Sequence, residues 1–214
     1  MELLARRFDT AEPVKMVLAD GRIASMEALD LDDEASESLS WIAPGLIDLQ
    51  VNGYGGQEFS SDDLTVERVA TIADAMNGFW VTRFCPTVTT QSYSCMTHAL
   101  STLHRACEQM PGLARRVPGF HVEGPYLTAE NGARGAHPLE HVRPPDFDEF
   151  QRFQEVAGGR IRILTMSVEF DGTIDFIRRV CETGVVVSIG HTAATPEQIA
   201  AAVDAGARMA THLG

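Results

Sequence analysis

The chain has 214 residues, 44% of them apolar, and 17 basic against 30 acidic side chains give a formal charge of −13. That length and apolar share suffice for one sizeable core and a small accessory lobe. The acidity argues against nucleic acid or an anionic membrane as the main partner, and leaves open a small anionic substrate held by a local basic pocket.

From the N-terminus, Met1–Asp9 carries Arg6 and Arg7 with no apolar signal region after it, and no run approaches the roughly 18 apolar residues of a membrane span. Cys85, Cys95, Cys107 and Cys181 lack CxxC spacing and read as thiols of a reducing compartment, not a disulfide frame. The expected location is cytoplasmic. Residues 14–29 read as two short strands joined at Asp20-Gly21, a good hairpin turn. An acidic run from Glu27 to Glu37 follows and reads as a solvated loop. Residues 1–42 are expected to form a small β lobe.

At Trp41 the pattern changes. The stretch WIAPGLIDLQVNG reads as an apolar strand, and strands and helices then alternate to the end. Helices are predicted over Thr65–Asn77, Ser92–Met110, Asp146–Val156 and Thr173–Thr183. A further helix opens at Thr195-Pro196-Glu197-Gln198, a capping box with proline at the first helical position. Between them lie the strands TRFCPTV, GFHVEG, IRILTMSVE, VVVSIGH and RMATHLG. Alternation of this kind predicts a parallel sheet with right-handed crossovers. The fold class is therefore α/β, a TIM-type (β/α)₈ barrel over residues 43–214, of which about six βα units are present. A closed barrel takes eight strands and about 250 residues, so the chain is expected to be part of a longer protein.

Polar and ionisable residues gather at the C-terminal ends of these strands, where such barrels keep their active sites. Side chains alternate faces along a strand, so Gln50 and Asn52 share one face, as do His121 and Glu123. Glu123, His191 and His212 each close a strand. One acid and two imidazoles offer three ligands to a borderline divalent ion and leave a position for water. A lone strand-end histidine is more often structural than a ligand; three ionisable residues at equivalent ends make the two readings about even. His121, two residues below Glu123, reads as a packing residue, as does Asp48 below Gln50. His98 and His104 read as solvent-side on an outer helix.

The motifs APGLIDLQVNGYGG, HVEGPYL, ARGAHP, GHTAAT and THLG resemble those of N-acetylglucosamine-6-phosphate deacetylases, in the amidohydrolase superfamily, from about Ala43 to Gly214. The resemblance implies a (β/α)₈ barrel beside a small β-sandwich lobe. It implies Glu123, His191 and His212 as ligands of one divalent ion, Zn²⁺ or else Fe²⁺. It implies Ala136 and His137 as substrate contacts, His137 at the acetamide carbonyl, and hydrolysis of the N-acetyl group to glucosamine 6-phosphate and acetate. It further implies a homodimer for the full-length protein. Many amidohydrolases bind a second metal through His-x-His on the first strand; Gln50 and Asn52 stand there, and neutral amides are poorer zinc ligands than imidazole. The family's general-base aspartate lies on the last barrel strand, expected beyond Gly214, so little turnover is expected of these 214 residues alone. Two other readings stay open: an amidohydrolase for a cyclic amide or nucleobase, and a non-catalytic remnant that binds metal or pairs with a second chain.

Overall fold

The computed structural model describes residues 1–213; Gly214, which ends the THLG motif and the expected barrel region, lies outside the described residues. The chain divides into two compact units, Met1–Gly45 and Leu46 onward. The first comprises β1 (Glu2–Arg7), β2 (Pro13–Ala19), β3 (Arg22–Ala28), α1 (Asp33–Glu37) and β4 (Trp41–Ile42). Its four-stranded sheet has the order β3-β2-β1-β4, with only the β1–β4 pair parallel. The Asp20-Gly21 hairpin forms as expected, with φ of 50° and 71°, the positive pair that a tight two-residue turn requires.

Three details differ from the sequence reading. The strand β1 was not anticipated, because ELLARR lacks alternation and gains its identity only from its partners on both sides. The acidic run contains the single-turn helix α1, whose end is capped by Asp32 accepting from the Ala35 amide at 2.8 Å. The stretch WIAPGLIDLQVNG is two strands, not one: Trp41–Ile42 pairs with β1, and pairing with the barrel begins only at Leu46. Pro44, which has no N–H, stands between them.

The second unit runs β5 (Leu46–Val51), β6 (Gly53–Tyr54), β7 (Gln57–Glu58), α2 (Val66–Asn77), β8 (Val81–Thr89), α3 (Tyr93–Gln109), α4 (Pro111–Arg116), β9 (Phe120–Glu123), α5 (Phe147–Val156), β10 (Ile161–Met166), α6 (Thr173–Glu182), β11 (Val186–Ile189), α7 (Pro196–Asp204) and β12 (Met209–Ala210). The anticipated parallel sheet is present, ordered β12-β11-β10-β9-β8-β5, so that sequence neighbours are spatial neighbours, as in a partial TIM barrel. The expected strand IRILTMSVE is shorter than read: β10 ends at Met166, and Ser167 to Glu169 form the loop beyond it.

Helix ends follow their capping residues. Thr65, Ser92 and Asp146 each accept a backbone hydrogen bond with the side chain, and the capping box forms in full between Thr195 and Gln198. The core lies between the sheet and its helices. Phe84, Val88, Phe120, Leu164 and Val187 are fully buried, as are Met96 and Leu100 from α3 and Phe150 and Phe153 from α5. His98 and His104 are half-buried, contrary to the solvent-side reading: His98 Nε2 lies 3.0 Å from the Leu64 carbonyl oxygen, and the His104 ring sits against Gly158. The helix α3 packs on α2, α4 and α5, which encloses positions that periodicity alone left facing water. The four cysteines are free, and burial pushes the Cys85 and Cys95 thiols up to about 11. No helix among the described residues is long and apolar enough to cross a membrane.

Leu164 is completely enclosed at the middle of β10. Leu164→Ala is expected to lower the unfolding free energy by about 2–5 kcal/mol, through lost burial plus the cavity left behind; urea denaturation followed by circular dichroism measures it.

Candidate metal centre

Parallel register determines what meets at the C-terminal edge of this sheet. Glu123 is paired with Thr89 of β8 and with Thr165 of β10, while Thr165 is paired with Ser188 of β11. The carboxylate thus stands mid-sheet at the mouth, 2% exposed. His191 and His212 lie two residues past the ends of β11 and β12, and both have left-handed backbone, φ 52° and 58°. That region costs an L-residue about 1–2 kcal/mol. The histidines therefore do not simply extend their strands; each sits on a sharp turn.

Glu123, His191 and His212 converge. Glu123 Oε1 lies 3.2 Å from His191 Nε2 and 3.3 Å from His212 Nε2, and one ligand atom from each residue falls within a 4.8 Å cluster. Two donors bonded to zinc at tetrahedral angles stand roughly 3.3 Å apart, so both measured separations suit a shared ion. One hard oxygen and two imidazole nitrogens also suit a borderline divalent metal. The other carboxylate oxygen is occupied: Gln50 Nε2 donates to Glu123 Oε2 at 3.0 Å. Gln50 was read only as a vacated metal position. Its bond to the acid could have been anticipated from the shared inward face of neighbouring strands.

Electrostatics separates the roles. Burial pushes the Glu123 carboxyl up, but the bond from His191 and the nearby imidazoles His137 and His121 outweigh it and hold the group below its ordinary 4.5. Its hydrogen bond to Glu123 raises His191 above 6.5. His137 moves the other way, down to about 4, because it is buried and faces His191. At neutral pH the cleft therefore pairs an ionised acid with a neutral imidazole.

His137 is buried, with Nε2 3.2 Å from His191 Nε2, but is not among the three clustered residues. Arg134 Nη1 donates to the His137 carbonyl. Gly135 comes so close that a Cβ there would meet His191 Cε1 at 3.0 Å, and its φ is 62°, so this loop position favours glycine on both counts. His121 is 2% exposed beneath the site; its Nε2 lies 2.7 Å from Thr165 Oγ1 and its Nδ1 3.2 Å from the Leu49 carbonyl oxygen. Burial lowers its pKa, in keeping with a neutral packing residue. Asp48 is half-buried and accepts from the Gln50 amide at 3.0 Å.

A cleft of about 360 Å³ joins these groups, lined by Gln50, Asn52, Ala136 and His137 around the three clustered residues. Ala136 and Asn52 are exposed within its mouth. Glu58, Thr89 and Gln91 also line it and were not anticipated, although Thr89 to Gln91 follow the strand TRFCPTV at the end where barrel sites form. A larger open cavity, about 800 Å³, lies beside β12 and shares His191 and His212; Ile199, Val203 and Leu213 give it an apolar wall, and Thr192, Arg208 and Thr211 also line it.

Comparison with known proteins finds one group that this chain is similar to. N-acetylglucosamine-6-phosphate deacetylase from Bos taurus is 33% identical over 211 residues, covering 94% of this chain and 47% of the relative. The likeness is to the N-acetylhexosamine-6-phosphate deacetylases. The human N-acetylglucosamine-6-phosphate deacetylase is 32% identical over 210 residues, with 94% and 47% coverage. N-acetylgalactosamine-6-phosphate deacetylase from Escherichia coli O157:H7 is 32% identical over 214 residues, with 98% and 55% coverage. Among solved structures, the Pasteurella multocida deacetylase superposes with a TM-score of 0.80 at 26% identity, covering all of this chain and 57% of that one. The Mycobacterium smegmatis deacetylase gives 0.81 at 28%, covering all of this chain and 60% of that one. No family model matches. The chain spans about half the length of the curated deacetylases it matches.

The depressed pKa of His137 carries a sign. Between pH 6.5 and about 4 the unfolded chain takes up a proton at this position that the folded chain refuses, so His137 makes stability fall as pH falls. In metal-stripped protein, His137→Asn is expected to flatten that part of the stability–pH curve relative to wild type, as read by thermal unfolding at half-unit pH steps.

Proposed function

We propose that the protein carrying this chain is a metal-dependent deacetylase that hydrolyses the N-acetyl group of N-acetylglucosamine 6-phosphate to glucosamine 6-phosphate and acetate. The observation that carries the reading is the convergence of Glu123, His191 and His212 on one point at the mouth of the sheet, in a chain whose relatives over nearly its full length are deacetylases of acetylated hexosamine phosphates. A substituted form of the M. smegmatis enzyme has been crystallised in complex with N-acetyl-D-glucosamine-6-phosphate.

Glu123, His191 and His212 would hold one divalent ion, with zinc favoured by the donor set. When bound, such an ion supplies a Lewis acid for the amide carbonyl and lowers the pKa of water. The remaining work falls to side chains. Glu123 stays ionised and brings negative charge to the cluster, while Gln50 fixes the orientation of its carboxylate. His137, neutral and buried, can offer a ring N–H to the acetamide carbonyl oxygen and stabilise the charge that grows there as the carbonyl is attacked. Arg134, by holding the His137 carbonyl, fixes the loop that presents it, and the exposed Ala136 beside it in the cleft lining would also contact the substrate.

Metal content and ligand binding test the reading separately. Wild-type chain, stripped and reloaded, is expected to retain close to one equivalent of Zn²⁺ by elemental analysis, whereas Glu123→Gln and His191→Ala lose it. His137→Ala is expected to keep the zinc and to bind N-acetylglucosamine 6-phosphate at least tenfold more weakly by calorimetry. Equal zinc content in wild type and Glu123→Gln would remove the basis of the proposal.

A further inference from the structure

The loop that leaves β10 holds the turn that presents His191. Ser167 is completely buried, and its hydroxyl donates to the His191 carbonyl oxygen at 2.6 Å while accepting from the Thr128 amide at 2.6 Å. Two residues on, Glu169 reaches the same turn from the other side. Its Oε1 accepts from the Ala193 amide at 2.9 Å, and its Oε2 accepts from the Thr192 hydroxyl and from the Val168 amide, the latter at 2.9 Å. Burial pushes the Glu169 carboxyl up, but these bonds outweigh it and keep the group below its ordinary value, so it acts as an anionic acceptor. The turn is thus pinned through two backbone groups, the carbonyl of residue 191 and the amide of 193, and through the side-chain hydroxyl of Thr192. These pins bracket a histidine whose φ of 52° an L-residue does not adopt without support. The Gly190 amide adds a fourth tie, donating to the Met166 carbonyl at 3.1 Å.

We propose that Ser167 and Glu169 are positioning residues that hold the turn at His191 so that its Nε2 meets Glu123 with the geometry an ion requires. Neither residue is among the three clustered groups, and neither lines the cleft. Both act through His191, from a loop that reads in sequence as an ordinary strand exit. The proposal rests on the metal reading of the site. It adds that the affinity of the site is set partly by a hydroxyl and a carboxylate on the loop that follows a neighbouring strand, in the way that outer partners of metal-binding histidines tune affinity about 10- to 100-fold.

The test is Zn²⁺ affinity by chelator competition, the visible spectrum of the Co²⁺-loaded chain, and melting of the metal-free chain. Ser167→Ala and Glu169→Ala are expected to weaken Zn²⁺ binding by about 10- to 100-fold and to shift the Co²⁺ bands. Thr192→Val, on the half-exposed side of the turn, removes the hydroxyl that donates to Glu169 and accepts from the Val168 and Ala194 amides while leaving the Ala193 bond to Glu169 in place, and is expected to weaken Zn²⁺ binding in the same direction; Thr192→Ser restores the hydroxyl and wild-type affinity. Glu149→Gln, which breaks the remote ion pair with Arg143, serves as the control for stability alone. If wild type binds Zn²⁺, Glu123→Gln does not, and the Ser167, Glu169 and Thr192 variants match wild type in affinity and spectrum, the positioning role is wrong while the metal site stands. If wild type itself binds no Zn²⁺, both fall together. Should Ser167→Ala fail to fold, the Thr192→Val and Thr192→Ser pair decides.

Discussion

A carboxylate 2% exposed in the middle of a parallel sheet must be paired, because an isolated buried charge is far costlier than any local packing gain. Glu123 meets that requirement with partners from three other strands' ends: Gln50 on one oxygen, His191 and His212 on the other. The Gln50 bond spans 73 residues of sequence and the His191 bond 68, so one acid ties β5, β9, β11 and β12 at their common edge. The rest of the mouth answers to the same charge. It raises His191, while burial and the facing His191 press His137 down, and the two imidazoles settle into opposite protonation tendencies a few ångströms apart.

Much of this was legible in the sequence. Alternation along GFHVEG places His121 and Glu123 on one side and leaves Phe120 and Val122 for the helices, and the structure has that division. Strand-then-helix repetition gave the sheet order, because right-handed crossovers leave consecutive strands side by side. The caps were equally direct, since Thr195 and Gln198 carry their own hydrogen-bonding instructions. What stayed hidden depended on partners distant in the chain. Glu2–Arg7 has no strand signature apart from its neighbours, and proline inside the stretch 41–53 was outweighed by the apolar residues around it. Ser167 and Glu169 were absorbed into the end of a strand; nothing near them in sequence names residues 191 to 193 as their partners. The left-handed turns at the two histidines were invisible for the same reason: neither position is a glycine.

The likeness to hexosamine-phosphate deacetylases is compatible with the chemistry of the cleft. The clustered acid and imidazoles, the neutral His137 and the loop beside it all lie in a stretch that matches about half the length of those relatives. Within this chain the cluster is assembled from three separate strand ends, with His137 brought beside it by one long loop.

The strand order also has a temporal meaning. Neighbours in the sheet are neighbours in synthesis, running from β5 to β12. A ribosome therefore delivers the Glu123 carboxylate first, then His191, and last His212, whose side chain is 57% exposed beyond a strand only two residues long. Until that final imidazole arrives, the emerging chain holds only the acid and one imidazole of the cluster. The three-residue constellation is thus complete only once the sixth strand of this sheet has been made.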